Sequence, residues 1–322
     1  MAALHDSVVA AERGHDDDAV ARAWAQLVHL ELARGHLPDA LLWSRYADAL
    51  CDRVRACDRW RPNLTAERAM LFSALGRRDD ALKEAQRALV FAAKQPEGDH
   101  IALDARDKAA TVLADADRLD EAIAQERSIL ADTEHTFGPG HQSTLSSRNN
   151  LSAMLAMAHR FDEALPVARS AYELTSAAFG PEVSDTATSL VALGEIEEGL
   201  GQLENARQHL THVAQIYEKN GIGGPNLVDA LTHLGRVQQR LGDAGAGATL
   251  ARAVSAGETA KVGPAELAPT RMALAQALPA TERKRAVEQA TKARDAFAQA
   301  AKSGDAAAAK SRDEADAFLR AH

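Results

Sequence analysis

The chain has 322 residues and a formal charge of -9, and it is 46% hydrophobic but only 4% aromatic. The acidic balance argues against phosphate-backbone binding, which requires clustered Lys and Arg, and no apolar run approaches the ~20 residues that span a bilayer. The abundance of Ala and Leu, which favour helices and allow close helix packing, predicts an all-α fold with neither nucleic acid nor membrane as a partner.

The first segment, residues 1–14, is predicted to be the remnant helix of a preceding repeat. The N-terminus lacks the basic start, long apolar middle and cleavage site of a secretory signal. Cys51 and Cys57 lie in a segment that is predicted to be helical, where at ~100° per residue their side chains point about 240° apart. This spacing predicts reduced cysteines that neither bridge nor share a metal ion, and hence a cytoplasmic location.

Residues 15–262 are predicted to form six repeats, in each of which a small or polar turn residue is followed five positions later by a small residue. Successive turn residues lie 41 or 42 positions apart, and a fixed period of this length is typical of stacked helical repeats. The turn residues and their small residues are Gly35 and Ala40, Gly76 and Ala81, Asp117 and Ala122, His159 and Ala164, Gly201 and Ala206, and Gly242 and Gly247. Because Gly247 stands where Ala is expected, we predict a looser sixth repeat.

Each turn lies between two stretches whose apolar residues recur at helical spacing. In the fifth repeat the first of these stretches contains Leu190, Leu193, Ile196 and Leu200. Pro and Gly interrupt the pattern between repeats, so the unit is helix, tight turn, helix, loop. A single helix pair cannot bury its apolar face, and stacking of the units is therefore expected to give a concave and a convex side.

Residues 263–322 depart from the repeat pattern. They are predicted to form a degenerate seventh repeat, whose first helix stops at Pro279, followed by a capping helix. The expected architecture is therefore an α-solenoid of about seven helix-turn-helix units with a C-terminal cap.

Residues 137–165, FGPGHQSTLSSRNNLSAMLAMAHRFDEAL, resemble the kinesin-light-chain-like form of the tetratricopeptide repeat, FGPxHxxTLxxxNNLAxxLxxxGRxxEAL. This resemblance implies a right-handed superhelix that binds protein partners on its concave side. The order of DDAVARAWAQLVHLE, the repeats and EADAFLR is also similar to the C-terminal arrays of bacterial, myxobacterial-type serine/threonine protein kinases. That similarity implies a helical array beside a kinase domain.

The residues themselves predict no enzyme. A kinase needs a glycine-rich loop, a phosphate-binding Lys, an HRD-type base and a DFG-type metal ligand, and the sequence contains none of them. His209 and His212 lie one helical turn apart, but a third ligand such as His233 would come from another repeat, and no Cys or carboxylate stands at ligand spacing. No cofactor and no metal site are expected.

The first helix of each unit lines the concave groove in proteins that this pattern resembles. The partner-binding candidates there are Asn149, Met157, Glu195, Glu198, Thr232, Arg236, Gln239 and Arg240. Asn149 matches the family's peptide-binding Asn, whereas Asn150 is expected to brace the adjacent helix. Arg236 and Arg240 could together bind a carboxylate of a partner, or they could pair internally with Glu195 and Glu198.

These observations predict a protein-interaction scaffold or sensor that binds a partner peptide or protein across the fourth to sixth repeats. Two alternatives stay open. One is a regulatory region of a serine/threonine kinase whose catalytic domain is absent from this chain. The other is a sensor that uses the groove as a pocket for a small ligand.

Overall fold

The computed structural model describes residues 13–14, 16–53, 55–302 and 306–322, and every regular element in these residues is a helix. This result confirms the predicted all-α fold. The predicted remnant helix at residues 1–14 lies outside the described residues, except for Arg13 and Gly14. None of the described helices is both long and apolar enough to cross a membrane.

The N-terminal unit ends at Ala158 and contains seven α-helices within the described residues. They are α1 (Asp17–Ala33), α2 (Leu37–Cys51), α3 (Arg61–Ala74), α4 (Arg78–Ala92), α5 (His100–Asp115), α6 (Leu119–Phe137) and α7 (Gln142–Met157). The helices pack as the hairpins α1–α2, α3–α4 and α5–α6, and the first helices α1, α3 and α5 also lie side by side. This unit is therefore a stack of helix hairpins, as in an α-solenoid.

The C-terminal unit begins at His159 and contains eight α-helices within the described residues. They are α8 (Phe161–Phe179), α9 (Ser184–Gly199), α10 (Leu203–Lys219), α11 (Pro225–Arg240), α12 (Ala246–Thr259), α13 (Pro264–Ala277), α14 (Arg283–Lys302) and α15 (Ala306–Ala321). The hairpins α9–α10, α11–α12 and α13–α14 stack so that α11 packs against both α9 and α13. The C-terminal unit thus has the same α-solenoid arrangement.

A residue with left-handed backbone geometry follows the first helix of each of the six repeats. The φ angles are 73° at Gly35, 69° at Gly76, 60° at Asp117, 55° at His159, 73° at Gly201 and 72° at Gly242. At the first of these turns the amide of His36 donates to the carbonyl of Glu31 at 2.9 Å, which closes the end of α1. The turn residues predicted from the repeat are therefore confirmed as the points where the chain reverses.

The small residue five positions after the turn is buried in the first five repeats, where it is at most 2% exposed: Ala40, Ala81, Ala122, Ala164 and Ala206. In the sixth repeat the buried small residue is not Gly247, and the looser packing expected of this repeat stays a prediction. Because α12 begins at Ala246, that alanine takes the buried position, only four residues after Gly242. A Cβ atom on Gly247 would lie 3.6 Å from the carbonyl oxygen of Ala277, which is an ordinary contact.

The structure also corrects the prediction of two reduced cysteines. The helix α2 ends at Cys51, and the 3-10 helix Arg55–Arg59 follows, so the two cysteines do not share a continuous α-helix. Their Cα atoms lie 5.0 Å apart, within the usual range for a bridge, and Cys51 and Cys57 form a disulfide. Disulfides are typical of oxidising compartments. The cysteines therefore no longer support the predicted cytoplasmic location.

The last three helices are held together by one apolar cluster. Met272 of α13, Phe297 of α14 and Ala315 of α15 are buried in it, and Phe318 of α15 is partly buried against it. The cluster fixes α15 against α14. As a result, the polar side of α15 can contribute to a site that is formed by earlier helices.

Candidate functional site

A cavity of about 340 Å³ lies in the C-terminal unit, where α11 packs beside α13. Four predicted partner-binding residues line it, namely Glu198, Arg236, Gln239 and Arg240. The remaining lining residues come from α13, α14 and α15: Pro269, Met272, Ala273, Gln276, Phe297, Ser311 and Glu314. A volume of this order is typical of pockets that enclose a small ligand.

Arg236 and Arg240 are one helical turn apart on α11 and share a single carboxylate. Arg236 Nε and Arg240 Nη1 each lie 3.7 Å from Oε1 of Glu198. The Glu198 side chain is only 8% exposed, whereas those of Arg236 and Arg240 are 53% and 46% exposed. The predicted internal pairing is therefore present with Glu198, but 3.7 Å is too long for a hydrogen bond. The guanidinium groups keep donors that can face a ligand.

Glu198 is held in its ionised form. Burial by itself would raise the pKa of this carboxyl, but the hydrogen bond with His233 and the positive charges of Arg236, His233 and Arg240 outweigh burial, so the pKa lies below its usual value. Nδ1 of His233 lies 3.1 Å from Oε2 of Glu198. An ionised, buried Glu198 therefore lies near three basic side chains, of which Arg236 and Arg240 line the cavity.

The pKa of His233 shifts in the opposite direction from that of Glu198. Burial favours the neutral imidazole, but the hydrogen bond with Glu198 and the negative charges of Asp229, Glu195 and Glu198 outweigh it, so the pKa of His233 is raised. Nε2 of His233 lies 3.6 Å from the Asp229 carboxylate. The site thus favours a protonated His233, which lies on α11 with the two arginines.

The rest of the cavity lining is partly apolar and contains residues that the repeat pattern did not predict. Met272 and Phe297 are buried residues of the C-terminal cluster that also line the cavity. Ser311 and Glu314 of α15 lie at the cavity as well. The amphipathic pattern of the last helix was the available signal for its packing, but the sequence did not show which earlier helix its polar side would face.

Two predicted residues of the C-terminal unit do not line this cavity. Glu195 is exposed on α9. Thr232 is 8% exposed, and its hydroxyl donates to the carbonyl of Val228 at 2.6 Å and forms a hydrogen bond with the Thr270 hydroxyl at 2.9 Å. Thr232 therefore joins α11 to α13.

The other two predicted residues, Asn149 and Met157, belong to α7 in the N-terminal unit. Oδ1 of Asn149 is buried without a hydrogen-bond partner in the described part of the chain, and Met157 is exposed. Nδ2 of the neighbouring Asn150 donates to Asp107 Oδ1 of α5 at 2.6 Å. The prediction that Asn150 braces an adjacent helix is therefore confirmed.

A second polar cluster in the N-terminal unit was not anticipated. Glu126 of α6 is fully buried, and neither of its carboxyl oxygens has a partner with hydrogen-bond geometry in the described residues. Burial raises the pKa of Glu126 to about 9, and the negative charge of Asp107 adds to the shift. Asp107 and Ser147 also line a separate cavity of about 230 Å³. Glu126 is therefore neutral at pH 7.

The three histidines considered as metal ligands each lie near a carboxylate. His209 Nδ1 lies 2.8 Å from Glu197, His212 Nε2 lies 3.8 Å from Glu182, and His233 Nδ1 lies 3.1 Å from Glu198. Each histidine therefore has its own carboxylate neighbour, and the three do not share one. In the described residues they form no cluster with metal-ligand geometry.

Residues 103–177 and 185–246 match the model of the tetratricopeptide repeat family. Three solved structures are similar. The apo quorum sensor NprR from B. thuringiensis is 14% identical, with a TM-score of 0.65 and coverage of 97% of this chain and 89% of that chain. A Rap protein complexed with competence and sporulation factor is 13% identical, with a TM-score of 0.59 and coverage of 99% and 96%. The nearly identical TPR-like repeats of a Podosopora anserina protein described as a kinesin light chain are 21% identical, with a TM-score of 0.50 and coverage of 62% and 96%.

These similarities confirm the predicted resemblance to tetratricopeptide repeat proteins and support the α-solenoid fold. No match to this chain was found among curated proteins. The narrower resemblance to kinase-linked arrays is untested and stays a prediction.

Proposed function

Two segments of the chain match the tetratricopeptide repeat model. We propose that the chain is an interaction scaffold whose C-terminal unit binds a partner peptide or protein through an acidic group of that partner. Arg236 and Arg240 would hold this group. The observation that carries the proposal is the pair of half-exposed guanidinium groups at the cavity, both held at 3.7 Å from the buried carboxylate of Glu198. The mechanism that we propose is binding alone.

Two guanidinium groups on one helix face are well suited to a carboxylate, because Arg presents planar donors that can bind both carboxylate oxygens. Glu198 restrains both side chains before a ligand arrives, which lowers the entropic cost of binding. Glu314 also lines the cavity, but no ion pair within 4 Å joins it to either arginine in the described residues. Apart from Nη1 of Arg240, which donates to the Glu198 backbone oxygen, the arginine donors are therefore available to an incoming acidic group.

The remainder of the cavity suggests what lies beside the acidic group. Met272 and Phe297 provide apolar surface, and the amides of Gln239 and Gln276 can both donate and accept hydrogen bonds. Such a combination favours a peptide segment in which an apolar side chain neighbours an acidic group, while the amides contact the peptide backbone.

The structural comparisons support binding by this kind of fold. One similar structure is described as a quorum sensor, and another as a Rap protein complexed with competence and sporulation factor. Both descriptions concern proteins that are less than 15% identical to this chain. We therefore take from them only that a similar helical array can serve as a receptor.

A selection from a random peptide library on the whole chain tests the proposal, followed by calorimetry with the enriched peptides. We expect enrichment of acidic peptides, and we expect Arg236→Glu to weaken their binding at least about tenfold, because it reverses the charge at the cavity. Arg169→Glu is the matched control, since Arg169 is exposed on α8 and does not line the cavity. Equal losses for both variants, or peptides without acidic groups, would contradict the proposed site.

Sensing of a small anionic ligand is a second candidate, and it is favoured by the cavity volume of about 340 Å³. A library of small carboxylates and phosphorylated metabolites, screened by thermal shift on the same two variants, distinguishes it from peptide binding. A saturable shift that Arg236→Glu abolishes, together with no enriched peptide, would favour the sensor.

A further inference from the structure

The turn of the first hairpin brings together two carboxylates and one imidazole. Glu31 lies in the last turn of α1, His36 immediately precedes α2, and Asp39 lies in the first turn of α2. One ligand atom from each of these side chains lies within 4.8 Å of those from the other two. Nδ1 of His36 is 2.8 Å from Oε2 of Glu31. We propose that Glu31, His36 and Asp39 form a binding site for a divalent transition-metal ion, with Zn²⁺ as the best fit.

The backbone holds these three residues in place before any ion binds. Gly35 has a φ of 73°, and the amide of His36 donates to the carbonyl of Glu31 at 2.9 Å. The amide of Asp39 donates in turn to the carbonyl of His36 at 3.1 Å. The three side chains therefore emerge from one closed turn, so that little backbone entropy is lost when an ion binds.

The burial of Glu31 is an independent sign that a cation belongs here. Its side chain is 1% exposed, and its Oε1 atom is buried without a hydrogen-bond partner in the described part of the chain. A buried carboxylate oxygen without a partner is costly. A metal ion that binds both carboxylate oxygens of Glu31 would satisfy Oε1 as well as Oε2. His36 is 59% exposed and Asp39 is exposed, so the ion can enter from solvent.

The donor set identifies the class of ion. Imidazole nitrogen suits Zn²⁺ and its first-row neighbours, whereas Mg²⁺ and Ca²⁺ prefer sites made only of oxygen. Three protein ligands with water in the fourth position give an open tetrahedral zinc site. Two ligand atoms about 2 Å from such an ion lie ~3.3 Å apart. The 2.8 Å separation of the His36 and Glu31 atoms therefore has to open by only ~0.5 Å.

A second histidine–glutamate pair, His29 and Glu67, resembles His36 and Glu31 but lacks a third ligand within the described residues. Nδ1 of His29 lies 2.9 Å from Oε1 of Glu67, with the histidine 63% exposed and the glutamate 2% exposed. Nζ of Lys108 lies 2.7 Å from the same Glu67 oxygen. An ammonium group therefore already neutralises that carboxylate, and we expect no metal ion there.

Calorimetry with ZnCl₂ and with MgCl₂, on the untagged whole chain without reductant, tests the proposal. We expect one saturable Zn²⁺ site and no Mg²⁺ site. His36→Ala and Asp39→Asn alter exposed side chains, and each should weaken Zn²⁺ binding at least about tenfold. His29→Ala should leave the affinity within about twofold, because its carboxylate is already paired with Lys108.

Co²⁺ provides a second readout, because a tetrahedral Co²⁺ site absorbs visible light strongly. We expect this absorption from the native chain and from His29→Ala, but not from His36→Ala. Three results would overturn the proposal: no saturable Zn²⁺ binding, equal losses in His29→Ala and His36→Ala, or unchanged affinity in both His36→Ala and Asp39→Asn.

Discussion

Arg240 is tied to Glu198 at two points, since its Nη1 atom donates to the Glu198 backbone oxygen at 2.8 Å and lies 3.7 Å from the Glu198 carboxylate. Arg236 reaches the same carboxylate at 3.7 Å, but no hydrogen bond from it to the backbone of Glu198 is formed in the described residues. The two arginines are neighbours on α11, yet one of them also caps the carbonyl end of α9. Their structural and binding roles can therefore be separated.

The first prediction is that Arg240→Ala destabilises the C-terminal unit more than Arg236→Ala does. Loss of a charge-assisted hydrogen bond to a carbonyl near a helix end should lower the free energy of unfolding by about 1 kcal/mol. Loss of the exposed Arg236 should cost less than about 0.5 kcal/mol. Urea unfolding of both variants measures the difference. Equal midpoints would show that the bond to the backbone contributes nothing.

The second prediction concerns pH and the pair of Glu198 and His233. The raised pKa of His233 gives a stabilisation that is complete below the ordinary value of 6.5 and is lost as the pH rises through its folded value. The lowered pKa of Glu198 gives a stabilisation that is present above 4.5 and is lost as the pH falls through its folded value. The pair should therefore stabilise the unit most between pH 4.5 and 6.5.

Thermal unfolding between pH 5 and 9 checks this window. His233→Gln should flatten the loss of stability above pH 6.5, because the titrating group is removed while a hydrogen-bond donor stays. His100→Gln, an exposed change at the start of α5, serves as the control and should keep the native profile. Parallel profiles for the native chain and His233→Gln would argue against the coupling.

The third prediction is that Glu126→Gln stabilises the N-terminal unit at neutral pH. With a folded pKa of about 9, Glu126 stays protonated while its unfolded form ionises above 4.5, so the native chain loses stability as the pH rises between these values. The loss should be roughly 1 kcal/mol per pH unit. Glutamine preserves the size and a hydrogen-bond donor, and it does not titrate.

Denaturant unfolding at pH 5, 7 and 9 measures this effect. Glu126→Gln should lose less stability with rising pH than the native chain does. Glu121→Gln changes an exposed glutamate of the same helix, α6, and should behave like the native chain. Equal losses in the native chain and in Glu126→Gln would show that Glu126 is ionised in the folded state.

The fourth prediction contrasts two glycines of the sixth repeat. A Cβ atom on Gly235 would lie 2.4 Å from Cγ of Leu250, whereas one on Gly247 meets nothing closer than 3.6 Å. Gly235→Ala should destabilise by about 1 to 3 kcal/mol through overpacking. Gly247→Ala should stabilise by up to ~1 kcal/mol, because Ala favours the helix. Melting temperatures that move in the same direction would contradict this packing.

The repeat register could be predicted from the sequence because it depends on local geometry. The residue after the first helix of each repeat has a left-handed backbone conformation. Gly35 and Gly201 adopt this conformation without steric cost. The alanine five positions later lies in the second helix of the same repeat, and Ala164 and Ala206 are fully buried there. Turn residues and small buried residues therefore recur with a period that can be read along the chain.

The sequence also predicted the arginine pair, because the i, i+4 spacing in a helix puts Arg236 and Arg240 on one face. It did not predict that Thr232, on the same helix, is buried against Thr270. Helical spacing specifies which residues share a face. It does not specify how much of that face a neighbouring helix covers.

Only the tertiary structure decided which distant groups meet. The disulfide depends on where α2 stops, the pKa of Glu126 depends on how completely α5 and α7 enclose it, and the cavity depends on the position of α15. In each case the deciding quantity is the distance or burial between elements that are far apart in sequence. A periodic pattern does not encode such quantities, because they result from packing over the whole unit.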